Sequence, residues 1–223
     1  MTSHQEKSKR MMAAATIATT TTAAEGVEQA GQDETPRANA YGLMAALLAA
    51  PPNEDLVTLL RQIDPVEEGR AQAMGQAWEV LRLAADGADV DGLDDEYHAL
   101  FVGLGRGELV PYASWYLTGF MMDQPLAVLR SDLEALGFER QPGVHEPEDH
   151  VAALCETMSV IIGIPDEIPV ATQKRFFYEH MQPWISTFFL DLQKAKTARF
   201  YRAVGQFGYR FIEFEKEYLS MPA

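Results

Sequence analysis

The chain has 223 residues, enough for one buried core with a tail and too few for two full domains. Its formal charge of −15, from 18 basic and 33 acidic side chains, excludes nucleic acid as the main partner, because no basic stripe is available to displace phosphate counterions. The single cysteine, Cys155, rules out an intramolecular disulfide, fits a reducing cytoplasm, and with apolar neighbours reads as core filler rather than nucleophile.

Residues 1–35 are expected to be a disordered N-terminal tail, followed by one all-helical domain over 36–223. The tail mimics an export signal, with Lys7, Lys9 and Arg10 ahead of an Ala/Met/Thr run, but Thr16 and Thr19 to Thr22 dilute the apolar stretch and no arginine pair is present. The strongest apolar run elsewhere, Tyr41 to Ala50, stops at Pro51-Pro52 and is too short to cross a bilayer, so a cytoplasmic protein without stable membrane insertion is expected. Within residues 37–50, Tyr41, Met44, Leu47 and Leu48 have helical spacing. Asn53 caps a short helix through Ile63. Asp64, Pro65 and Glu67 then supply a cap, a first-turn proline and an acid three residues on, predicting a helix to about Ala85.

The stretch DGADVDGLDDE reads as an acidic connector into EYHALF. GLGRGELVP, with three glycines, stops the helix and lacks both the spacing and the Lys-Ser/Thr ending of a phosphate loop. Helix is predicted again through PYASWYLTGFMM, then from Pro125 to Leu136 with Gly137 as its left-handed cap. In EPEDH, Pro147 suits a first helical position, which makes Glu146 a cap, Asp149 the third residue and His150 the fourth. Val151, Leu154, Met158, Ile161 and Ile162 continue that stripe to Gly163. Three more helices are predicted: Val170–Met181, Pro183 to about Lys196, and Ala198–Leu219. The class is all-α, with about nine or ten helices.

EPEDH admits several chemistries. Acids in a first helical turn are favoured by the unpaired amides there, and rotation along the helix points Asp149 away from the apolar stripe, toward water or a loop, with His150 at its edge. An acid–base dyad of two adjacent helical residues is awkward because they diverge. A metal site built on Asp149 and His150 would need His98, His145 or His180 from elsewhere, with no HExxH or CxxC pattern to supply it. Three aromatic blocks, EYHALF, PYASWY and FYEHMQPW, mix rings with polar groups near helix ends, a composition suited either to core or to gripping an apolar peptide.

Four blocks in order resemble the TorD/DmsD family of cytoplasmic redox-enzyme maturation chaperones: Tyr97, Leu100, Phe101 and Gly103; Pro111, Ser114 and Tyr116; Glu146, Pro147, Asp149 and His150; Phe177, His180, Pro183 and Trp184. The resemblance spans about residues 37–220. It implies a non-enzymatic, client-specific chaperone without a cofactor of its own. Such a chaperone binds the twin-arginine signal peptide, or the apo-form, of a molybdenum-cofactor oxidoreductase precursor and holds it for cofactor insertion before export. It also implies a formate dehydrogenase or a trimethylamine-oxide or dimethyl-sulfoxide reductase as client. No match to the signatures of the nitrate-reductase-specific branch is seen, which makes that client the less expected one. The implied binding residues are Tyr97, Phe101, Pro111, Ser114, Trp115, Tyr116, Asp149, His150, His180 and Trp184. Ala113 stands where many members carry an acid, and Leu104 where a proline is common, departures that bear on subfamily and client. The alternatives are a helical metal-dependent hydrolase using Asp149 and His150, or a general helical adaptor.

Energetics make an acidic groove necessary for such a task. Burying roughly 500 Å² of peptide apolar surface yields about 12 kcal/mol, and ordering and lost rigid-body freedom remove about 7. Micromolar affinity needs about 8 kcal/mol, and one or two charge-assisted arginine contacts at about 1.5–3 kcal/mol each close the difference.

Overall fold

The computed structural model describes residues 10–12, 34–63 and 72–221. Among them the chain runs α1 (Glu34–Ala49), α2 (Glu54–Arg61), α3 (Gln72–Asp86), α4 (Val90–Tyr97), α5 (Ala113–Thr118) and α6 (Gln124–Ala135). It continues as α7 (Val151–Gly163), α8 (Val170–Phe176), α9 (Ile185–Lys194) and α10 (Phe200–Ser220). Two π-helical turns extend helices, His98–Val102 after α4 and Phe177–Met181 after α8. The strands are two three-residue segments, β1 (Arg10–Met12) and β2 (Phe138–Arg140), paired in parallel with Arg10 opposite Phe138. The fold is all-α, as the periodicity predicts. Apart from Arg10–Met12 and the start of α1, the expected tail lies outside the described residues, and so does the cap expected at Asp64.

Local chemistry accounts for the helix starts. Asn53 Oδ1 accepts from Leu56 N at 2.9 Å ahead of α2, and Asp89 Oδ1 from Gly92 N at 2.8 Å ahead of α4. Asp123 and Pro125 open α6, and Gly137, at φ 80°, ends it. The buried faces of α1 (Tyr41, Met44, Leu47, Leu48) and α7 (Leu154, Met158, Ile161, Ile162) form the largest helix–helix contact of the core. Each such buried side chain contributes about 1.5–3 kcal/mol. Ser159 Oγ donates to Ala38 O at 2.8 Å across the same contact. Helix α10 packs on α9, α3 and α1. Close approach to α9 requires Gly208, because a Cβ there would meet the Phe189 ring at 2.2 Å. Cys155 is fully buried, and burial pushes its thiol well above the usual range, which suits filler.

Between α1, α8 and α10 lies a buried ion pair. Arg37 Nε donates to Glu215 Oε2 at 3.0 Å and Nη2 donates to Oε1, while Nη1 reaches Gln173 Oε1 at 3.3 Å. The guanidinium also stacks 4.1 Å from the Tyr218 ring centre.

Three elements differ from the sequence expectation. The acidic DGADVDGLDDE stretch is largely helix α4, because Val90, Leu93 and Tyr97 share one face and Asp89 caps it. The helix expected through PYASWYLTGFMM lasts only from Ala113 to Thr118, where Gly119 turns left-handed at φ 80°. In EPEDH, Pro147 opens a turn rather than a helix: His150 N donates to Pro147 O at 3.1 Å and α7 begins at Val151.

Candidate binding site

Two distant segments meet as a one-rung antiparallel bridge between Tyr112 and His150. Val151 N donates to Pro111 O at 2.8 Å, and Ala113 N to Asp149 O at 3.0 Å. This places Asp149 at the start of α5, whose own cap residue Tyr112 makes no side-chain cap bond. The Asp149 carboxylate supplies that bond: Oδ2 accepts from Ser114 N at 2.9 Å and from Ser114 Oγ at 2.5 Å. The aspartate thus caps a neighbouring helix, where unpaired first-turn amides favour negative charge. Its own helix is capped by His150, whose Nδ1 accepts from Ala152 N at 3.2 Å. Such a bond needs an unprotonated Nδ1. Burial favours the same neutral state, pulling the imidazole down to about 4 against the opposing attraction of Asp149.

Asp149 is 1% exposed, a correction to its expected outward orientation. While Oδ2 holds α5, Oδ1 is buried and makes no hydrogen bond. Leaving such an acceptor unmet costs on the order of 1–3 kcal/mol. Asp149 lines a cavity of about 400 Å³ whose walls are Leu117 and Ala113 of α5 and Pro125, Val128 and Leu129 of α6. Glu179 and His180, on the second π-helical turn, line it as well. Among its ionisable lining residues Asp149 and His180 are buried and Glu179 is exposed. His180 Nε2 lies 2.8 Å from Asp132 Oδ2 of α6. Leu117 and Val128 remain 42% and 51% exposed, and in the loop between α5 and α6 Phe120 and Met122 are each 70% exposed. The cavity is therefore lined by apolar side chains of α5 and α6 together with two carboxylates and an imidazole.

The structure brings Ser114, Asp149, His150 and His180 to this corner, with Pro111 contributing its carbonyl to the bridge. The other expected residues sit apart from the cavity lining. Trp184 is 2% exposed and packs in the core, donating from Nε1 to His180 O at 2.9 Å, so it anchors the π-helical turn rather than lining a groove. Tyr116 stacks on Trp184 at 5.4 Å, and its hydroxyl donates to Asp191 Oδ2 at 3.3 Å. Trp115 is half-buried under the Arg106 guanidinium at 4.3 Å. Tyr97 and Phe101 pack on Tyr201, with ring centres 6.1 and 5.3 Å away, and burial pushes the Tyr97 hydroxyl up to about 12. The aromatic blocks thus serve mainly the core. Leu117, Phe120, Val128, Asp132 and Glu179 were not marked by the sequence, since single apolar or acidic residues on short helices have no distinguishing pattern there.

Metal donors converge elsewhere than expected. Among the described residues the converging group is Asp132, Glu179 and His180, with ligand atoms within 4.8 Å of one another. It contains His180 but neither Asp149 nor His150, whose Nδ1 is committed to capping. No described helix is long and apolar enough to cross a membrane.

The architecture is that of a helical redox-enzyme maturation protein. A crystal structure from Archaeoglobus fulgidus assigned to that class aligns with a TM-score of 0.52 over 86% of this chain and 99% of that one, at 18% identity, a likeness of fold. Residues 67–190, more than half of the chain, match the family model described as nitrate reductase delta subunit, and the chain belongs to that family as a TorD-like member. The chaperone protein TorD of Vibrio cholerae is 24% identical over 74% of this chain and 75% of its own. That of Shewanella loihica is 24% identical over 84% of this chain and 97% of its own, and that of Histophilus somni 27% identical over 66% and 69%.

Proposed function

We propose that the protein is a cytoplasmic, non-enzymatic chaperone that binds the twin-arginine signal peptide, and with it the apo-form, of a molybdenum-cofactor oxidoreductase. Formate dehydrogenase and the trimethylamine-oxide or dimethyl-sulfoxide reductase class are the candidate clients. The observation that carries this function is the cavity beside Asp149, where apolar walls meet a buried carboxylate with one oxygen unmet. Leu117, Val128, Phe120 and Met122 offer the apolar surface that a leader peptide's hydrophobic stretch needs, and Asp149 Oδ1 is an acceptor for an arginine donor. Ser114 and His150 act one step back, holding Asp149 and the start of α7 in place.

The test is titration of the purified chain with a twin-arginine signal peptide from a molybdoenzyme encoded beside it, with a twin-lysine peptide as control. Micromolar binding of the first and weaker binding of the second is expected, since lysine cannot offer the planar fork. No binding of either peptide, together with normal client activity in a deletion strain, would exclude this function.

A further inference from the structure

We infer that Asp132, Glu179 and His180 form a binding site for a transition-metal dication, zinc being the best match, at the edge of the cavity that Glu179 and His180 help to line. An imidazole nitrogen and two carboxylate oxygens are drawn from two separate elements, α6 and the π-helical turn, and their ligand atoms lie within 4.8 Å of one another. Donors at about 2.1 Å from a tetrahedral ion sit about 3.4 Å apart, so the present 2.8 Å between His180 Nε2 and Asp132 Oδ2 needs only a small opening. The donor set suits zinc, which takes imidazole and carboxylate together, better than calcium or magnesium, which favour oxygen alone.

Charge and hydrogen bonding point the same way. Among the described residues no lysine or arginine pairs with Asp132, Glu179 or Asp149. The nearby arginines Arg130 and Arg140 are spent on Glu148. The carboxylates of Asp132 and Glu179 around a single histidine, with Asp149 lining the cavity that Glu179 and His180 share, leave an excess of negative charge that a dication offsets. Three protein ligands also leave a coordination position for water. Asp149 lines the same cavity, and its unpartnered Oδ1 is a ready acceptor for a proton of that water. The two features are independent: the donor cluster does not include Asp149, and the orphaned oxygen does not belong to the cluster. The irregular turn carrying Glu179 and His180 is a π-helical segment, closed by Gln182 N donating to Phe177 O at 2.8 Å, a local distortion often found at functional sites.

The full chain, untagged and stripped with chelator, is titrated with Zn²⁺ by calorimetry and with Co²⁺ by visible absorption. One ion per chain is expected, with Co²⁺ d–d bands of a four- or five-coordinate site. His180→Gln and Asp132→Asn should each weaken binding by more than about tenfold, and Asp149→Asn by about tenfold as an outer acceptor. His98→Ala, at an exposed histidine paired with Asp94, should change nothing. Circular dichroism checks each variant, and if His180→Gln unfolds, Asp132→Asn at its partly exposed position decides. Absence of heat and of d–d bands in the wild-type chain overturns the site, as does binding that survives both ligand substitutions. Running the signal-peptide titration on the metal-free chain keeps the two outcomes separate.

Discussion

Glu215 and Asp149 are both buried carboxylates, at 0% and 1% exposure, and their surroundings treat them in opposite ways. Between α1 and α10, Glu215 receives the guanidinium fork of Arg37, and both of its oxygens are used. At the α5–α7 corner, Asp149 has no cationic partner among the described residues; one oxygen braces Ser114 and the other is left unmet beside a cavity. The first carboxylate is fully paired and does structural work, although Gln173 Nε2 beside it makes no hydrogen bond. The second retains an unsatisfied acceptor on a residue that lines a cavity, and unsatisfied buried groups in a folded protein call for an explanation. Burial alone does not separate the two; the completeness of the hydrogen bonding does.

The sharpest way to break this contrast is Glu215→Ala, which strands the Arg37 charge. A loss of about 3–5 kcal/mol in urea unfolding is expected, whereas a packed apolar replacement of both partners should be close to neutral. If the single substitution costs under about 1 kcal/mol, the pair is not the structural element described. Asp149→Asn should do the reverse. Stability should stay within about 1 kcal/mol, because the amide oxygen can still accept from Ser114, while twin-arginine peptide affinity falls by about 2 kcal/mol, roughly thirtyfold. Equal losses in stability and affinity would reduce Asp149 to a cap.

A smaller effect concerns His150, whose folded-state value is held at about 4 against an ordinary 6.5. The unfolded chain therefore binds the proton first. Stability is complete above about pH 6.5 and declines as pH falls toward 4, with about 1 kcal/mol lost between pH 7 and 5.5. His150→Gln, which can still accept from Ala152 N, should remove that part of the slope in denaturant titrations. The smallest effect is expected in the loop between α5 and α6: Phe120→Ser, at a 70% exposed position, should shift stability by less than about 0.5 kcal/mol while weakening peptide binding by about fivefold.

Much of the scaffold was legible in the residues. The apolar spacing of α1, α7 and α10 and the punctuation at Pro51, Gly103 and Gly137 identify helices and their ends, because those signals are local. Helix α4 was hidden because five acids between Asp89 and Glu96 mask the Val90, Leu93, Tyr97 face. Pro147 misled because the same residue suits a turn and a first helical position, and the choice depends on the bridge to Tyr112. The importance of Asp149 was visible in EPEDH, but its burial was not, since that follows from Ser114, 35 positions away. Asp132 and Glu179 carried no signal, each being an ordinary helical acid until the tertiary fold sets it beside His180.

The bridge between Tyr112 and His150 also fixes when the cavity can come into being. Every lining residue from α5 and α6 belongs to the loop that this single rung closes, and Glu179 and His180 come from a turn encoded later still. A chain emerging from the ribosome therefore lacks the complete cavity until residues beyond His180 have been made and docked. Under the proposed function, topology itself keeps a half-made copy from capturing a client.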